Sequence, residues 1–148
     1  MASKRKAIRN ATAAAINFTG VNVYKHRKLP ANVDLLPLVN VLTLGDTVNR
    51  DPKVKDFQNR KERIVLIVQD KGLEEHENPA AGIDAVIDKL DNLIEDLELI
   101  FTKSLQTLSG LIFRLNYVST EIELNVDGEH VIGTAAVTYE AEYLENLV

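Results

Sequence analysis

The sequence predicts an α+β fold: a mainly antiparallel sheet with two helices, one N-terminal and one long and central, packed on one face. Three observations lead there. Apolar residues recur at helical spacing near the N-terminus and again from Pro79 onward. Short β-branched runs, some alternating at period two, lie between and after them. The resulting order is helix, strands, long helix, two strands, with no regular βαβ alternation. The 148 residues suit a single domain over 1–148, and 45 % hydrophobic content is enough to build a core.

The first element is a helix over about Ser3 to Asn17. Ile8, Ala11, Ala15 and Ile16 make a narrow stripe, Ser3 can cap the N-terminus and Gly20 helps end it. Val21 and Val23 alternate with Asn22 and Tyr24 and predict a short strand. "KHRKLPANVD" is polar, is broken by Pro30 and reads as a loop. "LPLVNVLTLGD" predicts a strand over Leu38–Leu44, led by Pro37 and ended by Gly45-Asp46. "TVNRDPKVKDFQNRKE" is the most polar stretch and reads as a long connection, of the kind that a partner would order.

"RIVLIVQ" at Arg63–Gln69 is apolar on both faces, so it reads as a central, covered strand. "DKGLEEHENPAAG" is a second polar loop. The long helix starts with Asn78 as N-cap and Pro79 at the first helical position, and should run to about Lys103. Its core stripe is Ile83, Val86, Ile87, Leu90, Ile94, Leu97 and Phe101. A strand follows through Phe113, Leu115 and Tyr117 and continues past Ile122 and Leu124. "DGEH" turns the chain, and a closing strand returns from about Val131. In that strand Ala135, Val137, Tyr139, Ala141 and Tyr143 share one face, and Thr134, Ala136, Thr138, Glu140 and Glu142 share the other.

Charge is divided along the chain. Up to Gly72 there are 14 Lys and Arg against 6 Asp and Glu; beyond it, 3 against 16, for a net charge of −5. Such halves either form solvated faces of separate elements or attach head to tail between copies. With no Cys, disulfides, thiolate metal sites and cysteine nucleophiles are excluded. No apolar run approaches the roughly 18–20 residues that span a bilayer, and the N-terminal stretch reads as a structural helix, since Arg9, Asn10 and Thr12 interrupt it.

Little in the sequence points to catalysis. His26, His76 and His130 fall in predicted loops, none with another His at ligand spacing, and "EEHE" at Glu74–Glu77 reads as a solvated acidic loop. No Ser lies in a G-x-S-x-G context and there is no Gly-rich phosphate loop. The tightest basic cluster is Tyr24, Lys25, His26, Arg27 and Lys28. It suits a partner-docking loop, or a phosphate backbone with Tyr24 stacking on a base. Arg50, Lys53 and Lys55 form a second candidate docking loop. The expectation is a non-enzymatic protein without cofactor or metal.

Several phrases together resemble the tail terminator proteins of long-tailed bacteriophages: "KRKAIRNATAAAIN", the Pro-led "LPLVNVLTLGD", "RIVLIVQD", the aspartate-rich "AAGIDAVIDKLDNLIEDLE" and the closing "GTAAVTYEAEY" with Thr138, Tyr139 and Tyr143. The resemblance covers nearly the whole chain as a pattern. It implies a virion subunit, assembled in the host cytoplasm, whose hexameric ring caps the head-proximal end of the tail tube. Such a ring stops tube polymerisation and offers a surface for head-tail joining. Its implied partners are copies of itself, the tail tube protein and head-completion or connector proteins, with DNA only passing through the lumen and no membrane. In that picture Glu140 and Glu142 lie on an exposed or lumen-facing strand face. Three alternatives stay open: another neck protein (a head-closure or tail-completion subunit), a nucleic-acid-binding accessory protein, or a small enzyme built on the acidic strand face.

Overall fold

The computed structural model describes residues 4–26, 35–49, 57–72, 79–101, 111–127 and 130–146. The described residues form two helices and five strands: α1 (Lys4–Ala15), β1 (Asn22–Lys25), β2 (Leu38–Asn49), β3 (Phe57–Gly72), α2 (Pro79–Leu99), β4 (Arg114–Asp127) and β5 (His130–Asn146). The strands form one sheet in the order β1-β2-β3-β5-β4. Only β1 and β2 run parallel; every other neighbouring pair is antiparallel. This is the α+β fold expected from the sequence.

Both helices lie on the same face. α1 sits over β1 and β2, and α2 over β3 and β5. Their territories meet where Thr12 and Phe101 close on Ile64, Leu66, Leu115 and Tyr139, with no room for a water molecule between them. The inward rows are Val39 and Val41 on β2, Ile64, Leu66 and Val68 on β3, and Ala135, Val137, Tyr139, Ala141 and Tyr143 on β5, all buried. α2 adds Val86, Leu90, Ile94 and Leu97 to this layer, and Phe101 follows just beyond its end. The alternation of the closing strand is thus the packing of one face on the helices. Ile83, expected in the α2 stripe, is 36 % exposed, so the buried part of the stripe begins at Val86.

Close approach of α2 depends on a missing side chain. A Cβ at Gly133 would collide with Val86 and would lie 2.6 Å from Leu90 Cδ1. On α1 the buried position between Ile8 and Ile16 is Thr12, whose hydroxyl donates to the Ile8 carbonyl at 2.7 Å, so burial leaves no polar atom unmet.

The polar stretch expected as a loop is largely strand. β2 continues to Asn49 and β3 begins at Phe57; residues 50–56 lie outside the described residues. The sequence reading ended β2 at Gly45-Asp46, but there the register shifts and the strand goes on, with Gly45 at φ 135° absorbing the irregularity. The physical reason is pairing on both sides. Asn59 to Glu62 of β3 bond to β2 and also to β5, so their backbone groups are satisfied without an apolar face. His130, expected in a turn, likewise opens β5 opposite Asp127. The predicted "EEHE" cluster falls outside the described residues.

Candidate interaction surfaces

The end of β1 meets the exposed flank of α1. Lys6, Arg9 and Asn10 from the helix, Lys25 from the strand and His26 just after it line an open hollow of about 530 Å³. Lys25 Nζ donates to Asn10 Oδ1 at 3.0 Å, which ties strand to helix. His26 adopts φ 51°, a left-handed conformation rare for a residue with a Cβ, and the Thr43 backbone N–H donates to its Nε2 at 3.2 Å. Desolvation, then the charges of Arg9 and Arg5, hold the His26 pKa below its ordinary value. The imidazole is therefore neutral at pH 7, and the positive charge of the hollow comes from Lys6, Arg9 and Lys25.

The structure keeps part of the sequence-predicted basic cluster and adds to it. Lys25 and His26 are joined by Lys6 and Arg9, which sequence reasoning passed over because it followed only the apolar stripe of α1. The spacing of Lys6 and Arg9, three apart on a helix, carried that signal. Tyr24 is not part of the hollow. It pairs with Asn40 while Lys25 pairs with Val41, so their side chains leave opposite faces of the sheet. A base stacked on Tyr24 and a phosphate on Lys25 would lie on different sides. Arg27, Lys28, Arg50, Lys53 and Lys55 lie outside the described residues.

Glu140 and Glu142 do not make a bare acidic face. Lys61, Glu142 and Arg114 form one rung across β3, β5 and β4. Lys61 Nζ is 3.5 Å from Glu142 Oε1, and Arg114 Nε is 3.4 Å from Glu142 Oε2. Glu142 is 6 % exposed, which corrects its placement on an exposed or lumen-facing surface. The cause is cross-strand pairing: cations on both neighbouring strands lie over it. Glu140 is half-buried, 3.7 Å from Lys61 and opposite the exposed Arg63.

A buried ion pair lies on the helix side. Glu62 is fully buried, and Arg5 Nε donates to its Oε1 at 2.9 Å while Arg5 Nη2 donates to the Thr43 carbonyl at 2.9 Å. Arg5 thereby straps α1 to both β2 and β3.

The opposite edge of the sheet is β4, and it is apolar. Tyr117, Ile122 and Leu124 fall on its helix-side face and are 51 %, 45 % and 37 % exposed. Val118, half exposed, sits at the bulge between Tyr117 and Ser119. Tyr117 packs edge-on against Tyr139, with ring centroids 5.8 Å apart, and Phe101, just past the end of α2, reaches Tyr139 at 5.5 Å. Carboxylates are frequent on α2 and on the other face of β4. α2 carries Asp84, Asp88, Asp91, Glu95, Asp96 and Glu98 against the single cation Lys89. β4 adds exposed Glu121 and Glu123.

No protein-family model matches this sequence, and the curated proteins contain no match to it. Among the described residues no helix is long and apolar enough to cross a membrane.

Proposed function

We propose that the chain is a structural ring subunit of a phage tail, in the role of a tail terminator: it caps the head-proximal end of the tail tube, stops tube growth and presents the head-joining surface. The observation that supports this reading is where the phrases that carry the resemblance lie in the fold. The five phrases that carry the likeness are the elements of one sheet and its helix layer: α1, β2, the core of β3, α2 and β5. The role is structural and no reaction is assigned to it. The subunit belongs to the neck of the virion and is assembled in the host cytoplasm, with DNA passing through the ring. The neighbouring reading, a head-closure or tail-completion subunit, shares this build and differs in which end of the neck it binds.

The test is electron microscopy of growing tail tubes with and without the protein. Rings of about six subunits seated on one tube end, with growth arrested there, are the expected result. Tubes that elongate unchanged and carry no cap would refute the terminator role. The hollow at Lys6, Arg9 and Lys25 favours one other reading, binding of a nucleic-acid backbone, which requires affinity for duplex DNA that falls steeply with salt.

A further inference from the structure

The hollow between α1 and β1 gathers three cations that no lining carboxylate answers. Lys6, Arg9 and Lys25 share it with Asn10 and His26, and neither α1 nor β1 carries an acidic residue. The buried carboxylate Glu62 pairs with Arg5 at 2.9 Å and is not among the lining residues. This cationic site stands out in a chain of net charge −5. Thr43 of β2 positions two of its side chains. Thr43 is buried, and its hydroxyl lies 3.2 Å from His26 Nε2 and 3.5 Å from Arg9 Nη1. Because the Thr43 backbone N–H also donates to Nε2, the neutral ring carries its proton on Nδ1. Among the described residues nothing accepts that Nδ1–H. His26 keeps this place with φ 51°, its own N–H donating to the Val41 carbonyl at 3.1 Å. Backbone strain of that kind persists where surrounding contacts enforce it, and it gathers at ligand sites.

We infer that this hollow binds a short chain of phosphoryl groups on a small molecule, held by charge and hydrogen bonds without recognition of a base. The donors are the Lys6 ammonium, the remaining N–H groups of Arg9, the Lys25 hydrogens not given to Asn10, and His26 Nδ1–H. They outnumber what one carboxylate accepts. A phosphoryl group brings about −1.5 to −2 charges and three acceptor oxygens, and linked groups bring more. The Arg9 fork can span two oxygens while the lysines act as point charges. No aromatic ring lines the hollow, and Tyr24 leaves the opposite face of the sheet, so a base has no stacking platform. The volume of about 530 Å³ is that of a small-molecule site. Such binding needs no contact between subunits and is separate from the tail role proposed above.

Sodium tripolyphosphate is the probe, titrated into the 148-residue chain by calorimetry at fixed ionic strength while the nitrogen-15 shifts of the His26 ring are followed. One saturable site is expected, with the His26 signals moving along the same curve. Lys6→Gln, Arg9→Gln and Lys25→Gln should each weaken binding roughly tenfold. Lys6 and Lys25 are exposed, so those two variants keep the fold, which circular dichroism verifies. Lys89→Gln removes the same charge on α2, outside the hollow, and should change affinity less than about twofold. Uptake that stays linear in probe, a Lys89→Gln loss equal to that of Lys6→Gln, or a His26 ring that does not respond would overturn the inference. Affinity for a short DNA duplex with none for tripolyphosphate at the same ionic strength would also overturn it, and would give the hollow to a nucleic-acid backbone.

Discussion

Tyr139 shows how one side chain serves packing and pH response together. Its ring is 2 % exposed between Phe101 and Tyr117, and its hydroxyl has no hydrogen-bond partner among the described residues. Burial first, then the Glu98 carboxylate and Tyr117, push its pKa up to about 12. Below pH about 10 the phenol is neutral in both the folded and unfolded chain. Between about 10 and 12 the unfolded chain gives up this proton and the folded chain keeps it, so the folded state loses stability as pH rises, by at most about 1.4 kcal/mol per pH unit. Tyr139→Phe should cost little at neutral pH, because it removes an unpaired hydroxyl, and should flatten this alkaline loss. Urea midpoints measured across that pH range decide it; an unchanged alkaline slope in the variant would contradict the assignment. The inward place of Tyr139 is legible in the sequence, because alternation reads a strand without knowledge of its neighbours. The burial of Glu62 is not, because its partner Arg5 stands 57 positions away and nothing local marks the pair.

At the scale of elements, the strap from Arg5 makes α1 more than a lid on the sheet. Its apolar stripe is narrow, with Ile8 and Thr12 as its buried residues, so polar contacts carry much of the docking. Arg5→Ala leaves the Glu62 carboxylate buried without that guanidinium. Breaking a fully buried pair costs about 3–5 kcal/mol, and a discount to roughly 2–3 kcal/mol is due because the Arg5 side chain is 43 % exposed. Adding Glu62→Gln should recover part of the loss by removing a buried charge that the guanidinium no longer offsets. Denaturant titration of the single and double variants measures both, and strictly additive losses would show the two side chains to be uncoupled. Helix and strand identities are readable from periodicity, whereas the length of β2 and β3 is not. Their polar arms are held by backbone pairing, that of β3 with β2 on one side and β5 on the other, which leaves no pattern in side-chain polarity. The basic hollow is half legible for a related reason: Lys25 and His26 are adjacent in sequence, but Lys6 and Arg9 join them only once α1 lies across β1.

On the scale of the whole molecule, the chain folds into a sheet whose ends differ in charge as its sequence halves do. Among the described residues the split at Gly72 is visible in the fold, because β1, β2 and β3 are neighbours on one side of the sheet and β5 and β4 on the other, with Lys61 meeting Glu140 and Glu142 where the two sides join. The sheet order carries a further consequence, concerning synthesis. β5 is the last of the described strands to be made, yet it sits between β3 and β4 and pairs with β3 from Gly72↔Val131 to Phe57↔Asn146. Until residues 130–146 leave the ribosome, the "RIVLIVQ" strand has β2 on one side and a bare edge on the other, a template for pairing with other chains. A chain ended after Asp127 should therefore form insoluble aggregates, and a peptide of residues 130–146 added during refolding should restore solubility, as sedimentation of the refolded mixture would report. A truncated chain that stays soluble and monomeric would show that the bare edge is guarded by other means. The interior strand β5 is made after its neighbours β3 and β4, so the hydrophobic layer closes only once residues 130–146 have emerged. A stalled ribosome would hold a nascent chain at its most adhesive stage.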